Sequence, residues 1–184
     1  MRPREERVRL TLWGAVRADV ARFSEGSGGV RCLVSGLVSQ GFLAILVYRI
    51  FRWCYERRIP TQPFRLVVER FVEVTCGVSI PVQASIGKGL RIHHFGSIII
   101  HPEAVIGDHC TLYHDVTVGD LGLRGGAPRI GNNVMVGAGA RLLGNIEVGD
   151  DSVIGANAVV LITVPPRSVA IGVPAISKPR VVHP

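Results

Sequence analysis

An aliphatic residue recurs every six positions through the second half of the chain, and this period constrains the fold more than any other feature. The repeated positions are Ile80, Ile86, Ile92, Ile100, Ile106, Leu112, Val118, Ile130, Val136, Leu142, Val148 and Ile154. A six-residue period fits neither an amphipathic helix nor the two-residue alternation of hairpin strands. It predicts short parallel strands wound into a prism, three hexads to a coil, with each aliphatic residue stacked inside on its equivalents.

Two interruptions divide the repeat. Ile98 and Ile99 are interpreted as two extra residues before the hexad at Ile100. Residues 120–129, with the sequence DLGLRGGAPR, break the period and are expected to leave the coil as a loop that carries Arg124. Binding groups often lie on such loops, because a rigid scaffold positions them.

The sequence before the repeat predicts an α-helical arm over residues 1–78, followed by the coil domain over 79–177 and a tail over 178–184. An uncharged stretch covers residues 32–48. A helix buried against its own domain or another subunit is the preferred interpretation; a membrane span needs about 20 apolar residues, and surface attachment to anionic lipids is a further alternative. If this stretch were exposed in a monomer, its apolar surface would favour a trimer. Residues 62–75 have the spacing of an amphipathic helix.

Charge and cysteine placement exclude several classes of protein. The net charge of +7 would suit nucleic acid, but the basic excess lies in the arm, while all six histidines lie beyond residue 92. We therefore expect no nucleic-acid partner. The four cysteines are far apart and form no CxxC pair, which favours a reduced, cytoplasmic setting without a disulfide framework. The start of the chain carries scattered charges and no apolar run, so no signal peptide is predicted.

Two histidines carry the candidate chemistry. His94 and His114 are each the third residue of a hexad, and their separation is one full coil of three hexads plus the two inserted positions. They should occupy one column on adjacent coils, about 4.8 Å apart along the strand-pairing direction. His93 should point to the opposite side of the strand. Solvated histidines and a metal pair are alternatives, and no metal is expected because no further ligands cluster there.

Three segments, GKGLRIHHFGSIII, GAGARLLGNIEVG and GANAVVLITVPPRSVAIGVPA, together with the repeat, resemble the serine acetyltransferase branch of the hexapeptide-repeat acetyltransferases. The resemblance implies a mostly β protein, a left-handed parallel β-helix with an N-terminal helical arm. It also implies acetyl-CoA as co-substrate, and a homotrimer or a dimer of trimers. The histidine that matches the general base is His94, and His114 is a second catalytic candidate.

The resemblance also implies a cofactor site. Four residues match positions that line the CoA groove between coils: Ala138, Gly139, Ala156 and Asn157. Three basic residues are candidates for holding the CoA phosphates: Arg141, Lys178 and Arg180.

Departures from the branch concern the acceptor. Serine acetyltransferases have aspartates where this chain has Ser79 and His93. Their loop carries an Arg-His pair that holds the serine, whereas the loop here is shorter and has no histidine, with Arg124 as the candidate residue. The sequences IHH and LYHDVTVG look closer to colanic-acid-type polysaccharide O-acetyltransferases. We therefore expect a small-molecule or glycan acceptor, preferably a sugar hydroxyl of a surface polysaccharide, near the inner face of the membrane. Serine acetylation, a non-catalytic trimeric scaffold and a zinc-bridged, carbonic-anhydrase-like prism are the alternatives.

Overall fold

The computed structural model describes residues 11–24, 39–94, 96–122 and 125–180. Within these ranges three helices come first: α1 (Leu12–Ser24), α2 (Gln40–Glu56) and α3 (Phe64–Cys76). Fifteen short strands follow: β1 Val78–Ser79, β2 Ser85–Ile86, β3 Arg91–His93, β4 Ile98–Ile100, β5 Val105–Ile106, β6 Thr111–Tyr113, β7 Thr117–Gly119, β8 Arg129–Ile130, β9 Met135–Val136, β10 Arg141–Leu143, β11 Glu147–Val148, β12 Val153–Ile154, β13 Val159–Val160, β14 Ser168–Gly172 and β15 Ala175–Pro179.

Every third strand pairs with its equivalent in the next coil, so the strands form three parallel sheets. Their orders are β1-β4-β7-β10-β13, β11-β8-β5-β2 and β15-β14-β12-β9-β6-β3. The register keeps the repeated positions together: Ile92 lies opposite Leu112, and Leu112 lies opposite Val136. The parallel β-helix expected from the repeat is thus confirmed, and only the final β14–β15 pair is antiparallel.

Aliphatic side chains fill the prism, because each coil presents its repeated residue to the same narrow interior. Leu112, Val136, Leu142 and Ile154 are completely buried. Each such side chain contributes about 1.5–3 kcal/mol when it is removed from water. The hexad period therefore identifies the core correctly.

The position of the two-residue insertion differs from the prediction. Ile98 and Ile99 belong to β4, where Ile99 lies opposite Thr117. The extra residues lie instead at the preceding corner, where Gly96 and Ser97 both have positive φ angles. Accommodating the insertion at a corner preserves strand pairing on both sides of it, which an insertion inside a strand would break.

Helices α1 and α2 close the first coil of the prism. Its backbone groups have no preceding coil to pair with, so they need other partners. The Tyr48 hydroxyl donates to the carbonyl of Ala84 (2.7 Å), and Arg49 donates to the carbonyl of Ile86 (2.8 Å). Asp19 accepts from the Leu90 N–H (3.0 Å) and from Arg49 Nε (2.8 Å). A buried ion pair between two helices is thus part of the cap.

One face of the described part of the apolar arm stretch is buried against its own chain, while Leu43 is exposed. Phe42, Ala44 and Ile45 of α2 are at most 3% exposed. This supports the buried-helix interpretation for residues 40–48, while residues 32–38 lie outside the described structure. It also means that these residues do not provide the exposed patch from which a trimer was expected. No described helix is both long and apolar enough to cross a bilayer.

Helix α3 is the exposed apolar element of the arm. It follows the helical spacing expected for residues 62–75, but Phe64, Val67, Phe71 and Val74 are 61–78% exposed. The helix ends at Gly77, whose φ of 63° is readily adopted by glycine. The apolar stripe of α3, defined as these four side chains, is uncovered in the single chain.

Candidate active site

The two candidate histidines lie on adjacent coils at one corner of the prism. His94 follows β3 with a φ of 62°, and His114 follows β6. Their rings are 5.7 Å apart between centroids, at an interplanar angle of 78°, and both side chains are exposed. The column predicted from their spacing is therefore present, and it places two imidazoles in edge-to-face contact where a substrate has access.

The side of the strand predicted for His93 is wrong. Its ring is 6.1 Å from that of His94 between centroids, so the two rings face the same side. The alternation of a strand ends at His94, because its left-handed backbone turns the chain at the corner. The His93 ring stacks on Tyr113 of the next coil, with centroids 4.9 Å apart and planes 12° from parallel. Tyr113 was not predicted, although it follows His93 at the same spacing at which His114 follows His94.

The environment of His93 disfavours its charged form. The half-buried position lowers the pKa of His93 from its ordinary value, and the nearby Arg91, His94 and Arg22 lower it further. Arg22 reaches this face from α1 and donates to the Thr111 hydroxyl (3.0 Å). The ring beside His94 is therefore a neutral imidazole at neutral pH, in a surrounding that is richer in cations than in carboxylates.

The same corner continues toward the C-terminal coils through small residues. The Gly139 N–H donates to the His114 carbonyl (3.1 Å), and the Asn157 N–H donates to the Ala138 carbonyl (2.8 Å). Gly139 and Asn157 have positive φ angles of 73° and 56°. The four residues predicted to line the CoA groove, including the exposed Ala156, thus form one column with the histidines. Their small side chains leave the outer surface of the corner accessible.

An ion pair joins two coils beside the histidines. Arg141 on β10 contacts both carboxylate oxygens of Asp115, at 2.9 and 3.0 Å, and also donates to the Asp115 carbonyl. Asp115 directly follows His114. Three donations to one residue engage the guanidinium within the chain, which argues against Arg141 as a partner for CoA phosphates. The six-residue period contains no signal for this contact.

Of the other predicted site residues, Ser79 and Arg180 lie away from the histidine corner. The Ser79 hydroxyl donates to Glu73 of α3 (2.6 Å), and within the described ranges it makes no hydrogen bond to His94. Arg180 is exposed beyond β15, where it donates to the Asp151 carbonyl (3.4 Å). Arg124 lies outside the described residues. Among the residues the structure describes, no three His, Cys, Asp or Glu side chains converge as a metal-binding group.

Comparison with known proteins supports the resemblance to hexapeptide-repeat acetyltransferases. A family model described as bacterial transferase hexapeptide (six repeats) matches residues 127–161. A serine acetyltransferase of Synechococcus elongatus is 38% identical over 136 residues, which cover 73% of this chain and 55% of that protein. The structure of a soybean serine acetyltransferase apoenzyme has a TM-score of 0.80 at 36% identity, covering 91% of this chain and 69% of that one. A serine acetyltransferase solved in complex with CoA has a TM-score of 0.80 at 32% identity, over the same 91% and 69%.

A parallel β-helix of hexad coils with paired histidines at one corner has the architecture of a hexapeptide-repeat transferase. The chain belongs to the serine acetyltransferase-like members of the hexapeptide transferase family. The closer relation to polysaccharide O-acetyltransferases expected from the sequence is not supported, because the relatives found are serine acetyltransferases. The chain spans just over half the length of the first curated relatives, 55% and 58%.

Proposed function

We propose that the chain is an acetyl-CoA-dependent O-acetyltransferase that transfers acetyl directly to an acceptor hydroxyl, with His94 as the general base. The observation that carries the proposal is the exposed His94–His114 contact at a corner that continues into a column of small residues. A histidine with access to substrate is suited to proton transfer, because its ordinary pKa is close to neutral pH.

The proposed reaction needs one base and no acyl-enzyme. His94 takes the proton from the acceptor hydroxyl as its oxygen attacks the thioester carbonyl carbon. The carbon–sulfur bond of the tetrahedral intermediate then breaks, and the departing thiolate receives the proton back from His94. The products are an acetyl ester and CoA. His114 orients the His94 ring in this scheme, since Ser79 is hydrogen-bonded to Glu73 instead.

The residues present fit a bound CoA at the corner column. Bulky side chains would obstruct an extended pantetheine there, whereas Ala138, Gly139 and Ala156 are small. A Cβ atom added at Gly139 would lie 2.1 Å from Asn157 Oδ1, so the column is closely packed where these two residues meet. Arg180 remains our candidate for the phosphates because it is exposed and basic. The acetyl-CoA assignment is also consistent with a relative that was solved in complex with CoA.

L-Serine is the acceptor that the relatives favour, and we adopt it over the polysaccharide acceptor preferred from the sequence. A sugar hydroxyl remains the second candidate because of one observation. At the position of a serine-enzyme aspartate, His93 is neutral and stacked on Tyr113, which provides an aromatic surface and no carboxylate for an ammonium group. Either acceptor would contact His93; Ser79 is bonded to Glu73 instead, and a contact with Arg124 stays a prediction from the sequence.

The test is thiol release from acetyl-CoA with L-serine and with a set of hexose-containing acceptors. Saturable release with L-serine supports the first assignment, and release only with hexoses supports the second. No release with any acceptor would favour the non-catalytic scaffold. His101→Ala is the matched control for a histidine substitution, since His101 lies at a different corner and accepts from the Glu103 N–H.

We further propose a homotrimer, with a dimer of trimers as the larger form, and a cytoplasmic location. The apolar stripe of α3 supports association, because monomeric proteins rarely expose a contiguous row of large apolar side chains. Contact of the arm with membrane lipids stays a prediction from its arginines.

A further inference from the structure

The peptide between His114 and Asp115 is hydrogen-bonded to both neighbouring coils. Its N–H, on Asp115, donates to the Gly96 carbonyl of the preceding coil (2.9 Å). Its carbonyl, on His114, accepts from the Gly139 N–H of the following coil (3.1 Å). Gly96 lies two residues after His94. This one peptide therefore links the segment that follows His94 to Gly139 in the column of small residues.

Asp115 adopts a left-handed backbone conformation, as Asn157 does two coils further along the same column. Its φ is 58°, in the left-handed region that most L residues avoid and that aspartate tolerates better than most. Arg141 contacts Asp115 from β10. It donates to the Asp115 carbonyl and to both carboxylate oxygens, so it restrains the backbone and the side chain together.

This contact is distinct from an ordinary surface ion pair. The side chains of Arg141 and Asp115 are 33% and 46% exposed, so the charge attraction itself is worth little to folding. Its geometry is nevertheless specific, because one guanidinium nitrogen contacts both carboxylate oxygens while another donates to the backbone carbonyl of the same residue. Within the described residues, the other ion pairs all involve the helical arm, and this is the one between coils.

We propose that Arg141 and Asp115 are positioning residues that hold His114 against His94. This rests on the proposed function, because its consequence for rate requires His94 to act as the base. Neither residue touches the reacting atoms in this proposal. Losing the contact releases the corner after β6, and the His114 ring no longer restrains the orientation of His94.

The expected effect falls on kcat. Arg141→Gln should lower kcat by about 10-fold and leave KM for acetyl-CoA unchanged, because a small displacement of a catalytic group costs up to about 10²-fold. Arg141→Lys should recover only part of this loss, since a lysine restores the charge but not the two-pronged contact. Asp115→Asn is the second variant, because asparagine keeps the left-handed backbone accessible. Arg129→Gln, at an exposed arginine on β8, is the control for loss of one coil arginine.

A double-mutant cycle separates positioning from general stability. In a His114→Ala background, Arg141→Gln should reduce kcat no further than about 2-fold, because the residue through which it acts is already gone. Equal losses in both backgrounds, or an unchanged kcat in Arg141→Gln, would overturn the proposal.

A readout that does not require activity keeps the two proposals apart. In Arg141→Gln, the imidazole proton resonances of His114 and His94 should shift, while those of His101 stay in place. If the wild-type protein transfers no acetyl group, the proposed function fails, and the resonances still decide the positioning. Unshifted His114 resonances would then contradict it.

Discussion

The ring of His93 lies flat on the ring of Tyr113, one coil further along the prism, with centroids 4.9 Å apart. The pair forms the outer surface beside His94 and replaces the carboxylate that the serine acetyltransferase resemblance would place at residue 93. The ring is partly buried, and burial lowers the pKa of His93 from its ordinary value.

This stack predicts a pH dependence of stability. Burial, followed by Arg91, His94 and Arg22, lowers the pKa of His93 in the folded protein. As pH falls through about 6.5, the unfolded chain takes up the proton before the folded chain does, so stability is lost below that pH and is complete above it. His93→Phe keeps a flat ring without a titrating group and should flatten the pH dependence between 5 and 7.5.

Urea unfolding of both proteins at these pH values provides the measurement. His101→Phe is the control and should keep the wild-type slope. If the unfolding free energy of His93→Phe depends on pH as steeply as that of the wild type, folding does not hold His93 neutral.

The cap of the first coil depends on a buried ion pair. Asp19 is completely buried, Arg49 is 6% exposed, and both also bond to backbone groups of the coil. Asp19→Ala leaves the Arg49 charge and the Leu90 N–H without this partner, and should cost about 3–5 kcal/mol in unfolding free energy. Glu56→Ala removes the exposed partner of Arg52 and should cost no more than about 1 kcal/mol. Similar, small losses in both variants would contradict a capping role for the buried pair.

The thiol of Cys110 should be inert in the folded protein. Cys110 is completely buried in the prism, and burial raises its pKa to about 11. At pH 8 it is a neutral thiol without solvent contact, whereas alkylation requires an accessible thiolate. Mass mapping after alkylation should find Cys110 labelled only in denaturant, while the half-buried Cys54 serves as the internal comparison. Rapid labelling of Cys110 under native conditions would mean that the coils open there.

The apolar stripe of α3 should mediate self-association. Phe71→Glu places a charge in the middle of the stripe, and Arg70→Gln is a control at an exposed position one residue away. Light scattering at micromolar concentration should give a trimer or larger for wild type and Arg70→Gln, and a smaller species for Phe71→Glu. A wild-type mass equal to that of a single chain would refute the trimer.

The six-residue period predicted the features that every coil shares, but it could not predict contacts that occur only once in the structure. It identified the inward residues, because each coil imposes the same geometry on them. It also brought His94 and His114 together, because the paired strands β3 and β6 end directly before them. The contact of Arg141 with Asp115 depends on a long side chain that reaches the preceding coil. The six-residue spacing carries no information about where such a side chain ends. The Asp19–Arg49 cap joins two helices to a coil, so it required the tertiary arrangement.

Two of the departures from the sequence-based expectations lie at corners. A strand pattern places His93 and His94 on opposite sides, but the left-handed backbone at His94 turns the chain and brings both rings to one side. The same corner contains the inserted residues, which leaves Ile98 and Ile99 in strand β4. Both departures follow from where the chain bends, a property that hydrophobic spacing does not record.

A general base acts in the chemical step, so the role proposed for His94 is measured by the kcat of His94→Ala at saturating acetyl-CoA and L-serine. We expect a loss of at least about 10²-fold with KM for acetyl-CoA nearly unchanged, because a base does not contribute to cofactor binding. The same assay on His114→Ala should give a smaller loss. Retention of most activity in His94→Ala, with the larger loss in His114→Ala, would contradict the assignment and reverse the two roles.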